Sequence, residues 1–298
     1  MTIKDMEIFN NVVNSSNLTT VSKEMGLTQP NISMTIKSIE TEFNEKLFDR
    51  IGKKLILNER GRVLYNNIIP LLSQMKDFQN DFSKNKTSGT INIAATNTIG
   101  VYVLPILLYN YNKKFKDVKI NHFYEHFAEI TSLILNGKID IGFVESEIVD
   151  LNIIKELLYK DELIVVSSDE NLSKSNYYID QLLDKEWVIR EKTSEVMNVF
   201  FDYLGDLQSD LNITLALEHT LAIKRILIKY KNTISILPEK SVAYEIENKL
   251  LHKIDIINMK FERNCYVVYH KNKFKNAVFN SFKDFIVKKI SEDKNFYK

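Results

Sequence analysis

The chain has 298 residues, 44% of them hydrophobic, and a formal net charge of +1. That length suits two domains with packed cores, and a charge so near zero excludes a uniformly basic or acidic binding surface. A single cysteine, Cys265, excludes an internal disulfide or a thiolate metal cluster, and the start MTIKDMEIFNN, with its early Asp and Glu, is not expected to be a secretory signal.

With no apolar run of transmembrane length, the expectation is a soluble cytoplasmic protein without a membrane partner. Residues 1–60 read as short helical patterns separated by caps. Met6, Phe9, Val12 and Val13 recur at helical spacing. Thr19 or Thr20 is expected to cap a second helix, and Gly26 suits the left-handed residue that ends it. Thr28 is expected to cap a third helix, with Pro30 in its first turn, where a missing N–H costs nothing. Helix, glycine turn and helix make a helix-turn-helix.

The third helix has an apolar stripe, Ile32, Ile36 and Ile39 with Phe43 beyond. Its other face carries Gln29, Asn31, Ser33, Thr35, Lys37 and Ser38, small hydrogen-bonding groups and one cation rather than the Glu/Lys pairs of an ordinary surface helix. Such a face fits a major groove, where base edges offer donors and acceptors. Gln29 can pair with adenine, Ser33 and Thr35 can reach bases or phosphates, Pro30 can touch a thymine methyl, and Lys37 suits phosphate. Leu47–Phe48 and Leu55–Leu57 suggest two short strands, a wing. Residues 1–60 hold equal numbers of acids and bases, but 50–62 hold Arg50, Lys53, Lys54, Arg60 and Arg62 against Glu59 alone, a concentration that can neutralise phosphates.

From Glu59 the spacing of Leu64, Ile68, Leu71, Met75, Phe78 and Phe82 is that of a heptad seam, suited to pairing with a second helix, with Pro70 expected to bend it or shift its ladder. Ser83–Gly89 reads as a linker. From Thr90 strands and helices alternate through INIAAT, VKINHFY, EITSLILNG, IDIGFVE, DELIVVSS, WVIRE, NVFFDYL, LAIKRILIKY, TISILP, CYVVYH and a C-terminal helix, an α/β pattern with largely parallel sheets.

These residues resemble the LysR-type transcriptional regulators. The resemblance runs the whole chain: the stretch LTTVSKEMGLTQPNISMTIKSIETEFNEKLFDR, with its Thr-Gln-Pro…Ser core and Leu47-Phe48-x-Arg50, then AATNTIGVYVLP, IDIGFVE, KDELIVV and AIKRIL in order. The family commonly has two alanines where this chain has Val21 and Ser22, Arg where it has Met34, and a Gly-rich turn where it has YKN at 230–232. The resemblance implies an α+β multidomain chain: a winged helix-turn-helix DNA-binding domain over 1–58, a linker and dimerisation helix over 59–86, and a two-lobed α/β effector-binding domain over 87–298 resembling periplasmic binding proteins. Lobe 1 would take about 87–161 and 268–298, and lobe 2 about 162–267. It implies sequence-specific binding of double-stranded operator DNA under control of a small anionic effector, in a dimer or dimer of dimers, with no cofactor and no catalysis. The alternative is a two-lobed solute-binding protein without DNA function.

The residues expected at DNA are Thr28, Gln29, Pro30, Asn31, Ser33, Met34, Thr35, Lys37, Arg50, Lys53 and Lys54. At the effector, the end of a strand at Thr96-Asn97-Thr98 feeds a helix, and free N–H groups with two hydroxyls make an anion site. His126, Glu145, Arg190, Thr193, Ser194 and Thr220 are expected to face it, Arg190 as a partner for a carboxylate. His122 and His126, four apart but on a strand turning into a loop, complete no metal ligand set, and Cys265 reads as a buried strand residue.

Overall fold

The computed structural model describes residues 1–15, 17–51, 54–81, 87–146 and 148–292. Three helices open the chain: α1 (Ile3–Ser15), α2 (Leu18–Met25) and α3 (Gln29–Phe43). Ile8, Phe9 and Val12 of α1 close over Val21, Ile32, Ile36 and Ile39 in one core. The cap of α2 is Asn17, not Thr19 or Thr20: its side-chain oxygen accepts from both of their backbone N–H groups, at 2.9 and 3.5 Å. Gly26 is left-handed, with φ 63°, and Thr28 accepts from Asn31 N at 3.4 Å to cap α3 ahead of Pro30. Phe43 departs from the expected stripe and is exposed, because α3 ends there at the left-handed Asn44.

Strands β1 (Phe48–Ile51) and β2 (Lys54–Leu57) form the antiparallel wing, with Phe48 opposite Leu57. Helix α4 (Glu59–Asp81) starts against it. A Cβ on Gly61 would overlap the Leu47 carbonyl, so this close crossing requires glycine. The helix continues through Pro70. Tyr65, Ile68, Ile69 and Leu72 pack into the α1–α3 core, whereas Leu71, placed in the expected seam with Ile68, is half exposed together with Val63. Of the same seam, the side chain of Phe78 and all of Phe82 lie outside the described residues.

The rest is two lobes sharing one sheet path. The first lobe contains β3 (Gly89–Ala95), a π-turn at Ile99–Val103 leading into α5 (Leu104–Lys114), β4 (Val118–Tyr124), α6 (Phe127–Leu135) and β5 (Ile141–Val144). The long β6 (Ile153–Ser167) carries the chain into the second lobe. There follow β7 (Asn176–Tyr177), β8 (Glu186–Arg190), α7 (Glu195–Leu204), β9 (Ile213–Leu217), α8 (Thr220–Lys229), β10 (Thr233–Pro238), α9 (Glu239–Glu247) and β11 (His252–Ile256). Strand β12 (Phe261–His270) returns to the first lobe, where α10 (Ala277–Glu292) packs.

The strand order is β4-β3-β5-β12-β6-β10-β8-β9, with β11 also on β6. Neighbours are parallel inside each lobe, for example β3 with β4 and β5, or β8 with β9 and β10. The crossing strands are antiparallel, β12 to β5 and β6, and β10 and β11 to β6, so the sheet is more mixed than the alternation of elements suggested. Tyr111, Phe143, Phe279 and Phe282 anchor one first-lobe core; Trp187, Met197 and Phe200 anchor a second-lobe core. Cys265 and Val267 belong to the first-lobe core and Phe261 to the second, so β12 changes lobes around Arg263, earlier than the expected division at 267/268.

Helix α4 also touches the first lobe. Ile69 lies against Gly137, whose φ of 61° and lack of Cβ leave room for it. Gln74 donates to the Asn272 carbonyl at 2.6 Å, and Lys273 reaches Ser73 at 3.0 Å. Among the described residues no helix is long and apolar enough to cross a membrane.

Candidate functional site

The first site is the outer face of α3. Burying Ile32, Ile36 and Ile39 turns Gln29, Pro30, Asn31, Met34 and Lys37 to solvent and leaves Ser33 and Thr35 partly exposed. Met34 is 69% exposed, a large thioether outside the α1–α3 core. Thr28 is exposed too, but its oxygen already serves the cap. Arg50 stands exposed on β1. Lys53 and the side chain of Lys54 lie outside the described residues. The positive stretch is weaker than its count of cations: Arg60 pairs with Glu45 at 3.2 Å and Arg62 with Glu59 at 3.3 Å. These are exposed pairs that phosphates can displace.

The second site is a cleft of about 350 Å³ between the lobes. Its floor is made where strands stop and helices start. Thr96 and Thr98 follow β3 and are buried, while Asn97 is exposed. The Thr96 hydroxyl donates to Glu145, just past β5. The Thr98 oxygen accepts from Arg263 Nη2 at 3.1 Å, leaving its hydrogen to donate. Arg263 also holds Asp161 through Nε at 3.0 Å and Nη2 at 2.9 Å, and Glu145 lies 3.8 Å away. Lys240 approaches the other oxygen of Asp161 at 3.7 Å. Burial pushes the Glu145 carboxyl above its usual range against the pull of Arg263 and Thr96. Burial also works against the charge of Arg263, but Glu145 and Asp161 outweigh it and hold the guanidinium ionised.

The second lobe supplies the other wall. Arg190, the last residue of β8, is 7% exposed; its Nη1 donates to Thr220 at 3.3 Å and its outer edge is taken by Glu191. Ser194 caps α7 by accepting from Met197 N at 3.4 Å, and Thr193 stands exposed on the rim. Glu195 accepts from the Ser146 hydroxyl of the first lobe, a bond across the cleft. His126 is exposed at the start of α6, and His219 occupies the same position on α8.

Eight of the nine residues expected at the effector line this cleft: Thr96, Asn97, Thr98, His126, Glu145, Arg190, Thr193 and Ser194. Thr220 stands behind, against Arg190. Sequence reasoning missed Arg263 and Asp161. A usable signal was present: Arg263 shares the inward phase of the strand with Cys265, Val267 and Tyr269, so a cation sits where an apolar residue belongs. Cys265 is buried as expected, and burial, chiefly, pushes its thiol far above the usual range.

The helix starts give the cleft its chemistry. The turn after Thr96 and the N-termini of α6, α7 and α8 all contribute lining residues, and each carries partial positive charge and outward N–H groups. Set against them are Glu125, Glu145, Glu191, Glu195 and Glu218.

Comparison with known proteins gives the same two-part division. A family profile described as "LysR substrate binding domain" matches residues 84–291, and one described as "Bacterial regulatory helix-turn-helix protein, lysR family" matches 3–62. The uncharacterized HTH-type transcriptional regulator YeiE of Escherichia coli is 27% identical over 289 residues, which cover 96% of this chain and 97% of that one. A full-length OxyR variant from Pseudomonas aeruginosa has a similar fold, with a TM-score of 0.71 at 14% identity, covering 97% of this chain and 94% of its own. The Synechocystis CcmR regulatory domain, solved in complex with 2-PG, superposes with a TM-score of 0.61 at 22% identity over 67% of this chain and 97% of its own.

Proposed function

The chain belongs to the LysR family of transcriptional regulators, and from that premise we propose that α3 reads operator bases while a small anion bound between the lobes controls the outcome. The family is one of regulators rather than enzymes. The helix-turn-helix match over 3–62 disposes of the alternative, a solute-binding protein without DNA function.

One observation carries the effector reading: four helix starts and two buried guanidiniums, Arg190 and Arg263, surround a single cleft. An anion there meets N–H groups, the Thr98 hydroxyl and positive charge from both walls. That the related CcmR domain was solved with 2-PG supports the same class of ligand here. Binding that draws Thr98 and Ser194 toward one ligand closes the lobes, and closure repositions the helix-turn-helix through the contacts of α4 with Gly137, Asn272 and Lys273.

The test is calorimetry on the full chain with an anion found by thermal-shift screening of metabolites. Thr98→Val keeps the shape and deletes the hydroxyl, both a donor to the ligand and the acceptor from Arg263, so effector affinity should fall by about 1–3 kcal/mol while DNA affinity without effector stays unchanged. Affinity unaffected by both Thr98→Val and Thr96→Val would move the site out of the cleft.

The same reading includes self-association. Val63 and Leu71 leave an apolar strip on α4, and Val101, Ile106 and Tyr109 leave another along the π-turn and α5. Leu71→Asp should place an unpaired charge in a helix-pairing interface and yield a smaller species in sedimentation. An unchanged oligomer would remove Leu71 from the interface.

A further inference from the structure

Arg190 is buried and its neighbour is partly exposed. The arginine side chain is 9% exposed and anchored from behind by Thr220. Its outer edge, Nε and Nη2, donates to the two oxygens of Glu191 at 3.2 and 2.8 Å. That is the two-pronged geometry in which a guanidinium takes a planar oxyanion. The Glu191 side chain is 28% exposed and lies just past the end of β8, in the turn that leads to α7. Both residues line the cleft. The edge of Arg190 that an effector would use is therefore already filled by the protein's own carboxylate, on the more exposed side of the pair.

We infer that Glu191 is a resident competitor: the effector's oxyanion binds Arg190 by displacing the Glu191 carboxylate toward solvent, and this exchange determines which anions the cleft accepts. The inference rests on the reading of the cleft as an anion site. Replacing one carboxylate by another conserves the hydrogen bonds to Arg190, so a simple monocarboxylate gains little there. An oxyanion with a second charge, or one that also reaches the Thr98 hydroxyl on the opposite lobe, gains what Glu191 cannot supply. Glu191 thus sets a threshold against abundant weak anions.

The experiment titrates sodium sulfate into the full chain at constant ionic strength, exchanging it for chloride. Binding is read by isothermal titration calorimetry, because Trp187, the single tryptophan, lies three residues before Arg190 and so on the opposite face of the strand, in the second-lobe core. Glu191→Gln keeps an acceptor oxygen but removes the competing charge, and sulfate should bind at least tenfold tighter. Arg190→Gln combined with Glu191→Gln should cancel that gain. Sulfate binding in Glu191→Gln equal to or weaker than wild type, while Thr98→Val abolishes it, would overturn the exchange and leave the cleft as the anion site. No sulfate-dependent signal in any of these proteins would overturn both.

Discussion

Arg263→Leu should cost the effector domain about 3–5 kcal/mol, the usual penalty for removing one partner of a buried ion cluster. The side chains of Arg263, Asp161 and Glu145 are 2%, 0% and 2% exposed, so water cannot replace the lost partner. Asp161 would keep only Lys240 at 3.7 Å, and Thr98 would lose the donor that orients it. Denaturant unfolding followed through Trp187 reports this region alone, which matters because a chain of several domains need not unfold in one step. The helix-turn-helix has its own core, centred on Phe9, Ile32 and Ile39, and its transition should not move. A Trp187 transition within about 1 kcal/mol of wild type would mean that the cluster is not held by charge.

The second large effect is on DNA. Gln29→Ala and Ser33→Ala should each weaken operator binding by about 1–3 kcal/mol and relax specificity at the base pair each one reads. Neither side chain takes part in the buried stripe of α3, so thermal stability should hold. Fluorescence anisotropy against the operator and its single-base variants separates lost base reading from general weakening. If both variants bind the operator as wild type does, α3 does not lie in the groove as described.

These two predictions differ in how far the sequence alone supports them. The face of α3 was legible because helix periodicity, a Thr cap and Pro30 in the first turn are local signals. The corner Thr96-Asn97-Thr98 was legible for the same reason: a strand ends and a helix begins within a few residues. Arg263 and Asp161 were not, because their pairing is a matter of strand register between positions 102 residues apart. Spacing also misjudged α4. Ile68 and Leu71 share a heptad pattern, but only the three-dimensional arrangement reveals that Ile68 is consumed by the α1–α3 core while Leu71 remains outside it. The wing's excess of cations was likewise a count along the chain, and Glu45, fifteen residues before Arg60, offsets part of it in space.

The central claim is that this chain reads DNA sequence through α3, and competition binding tests it most directly. Labelled DNA from the region upstream of the protein's own coding sequence is titrated with the full chain at physiological salt, and displaced by unlabelled copies of the same fragment or of a shuffled fragment with identical composition. The upstream fragment should compete at least 1,000-fold better, on the order of the usual gap between specific and non-specific binding. Equal competition by the two fragments would contradict the claim.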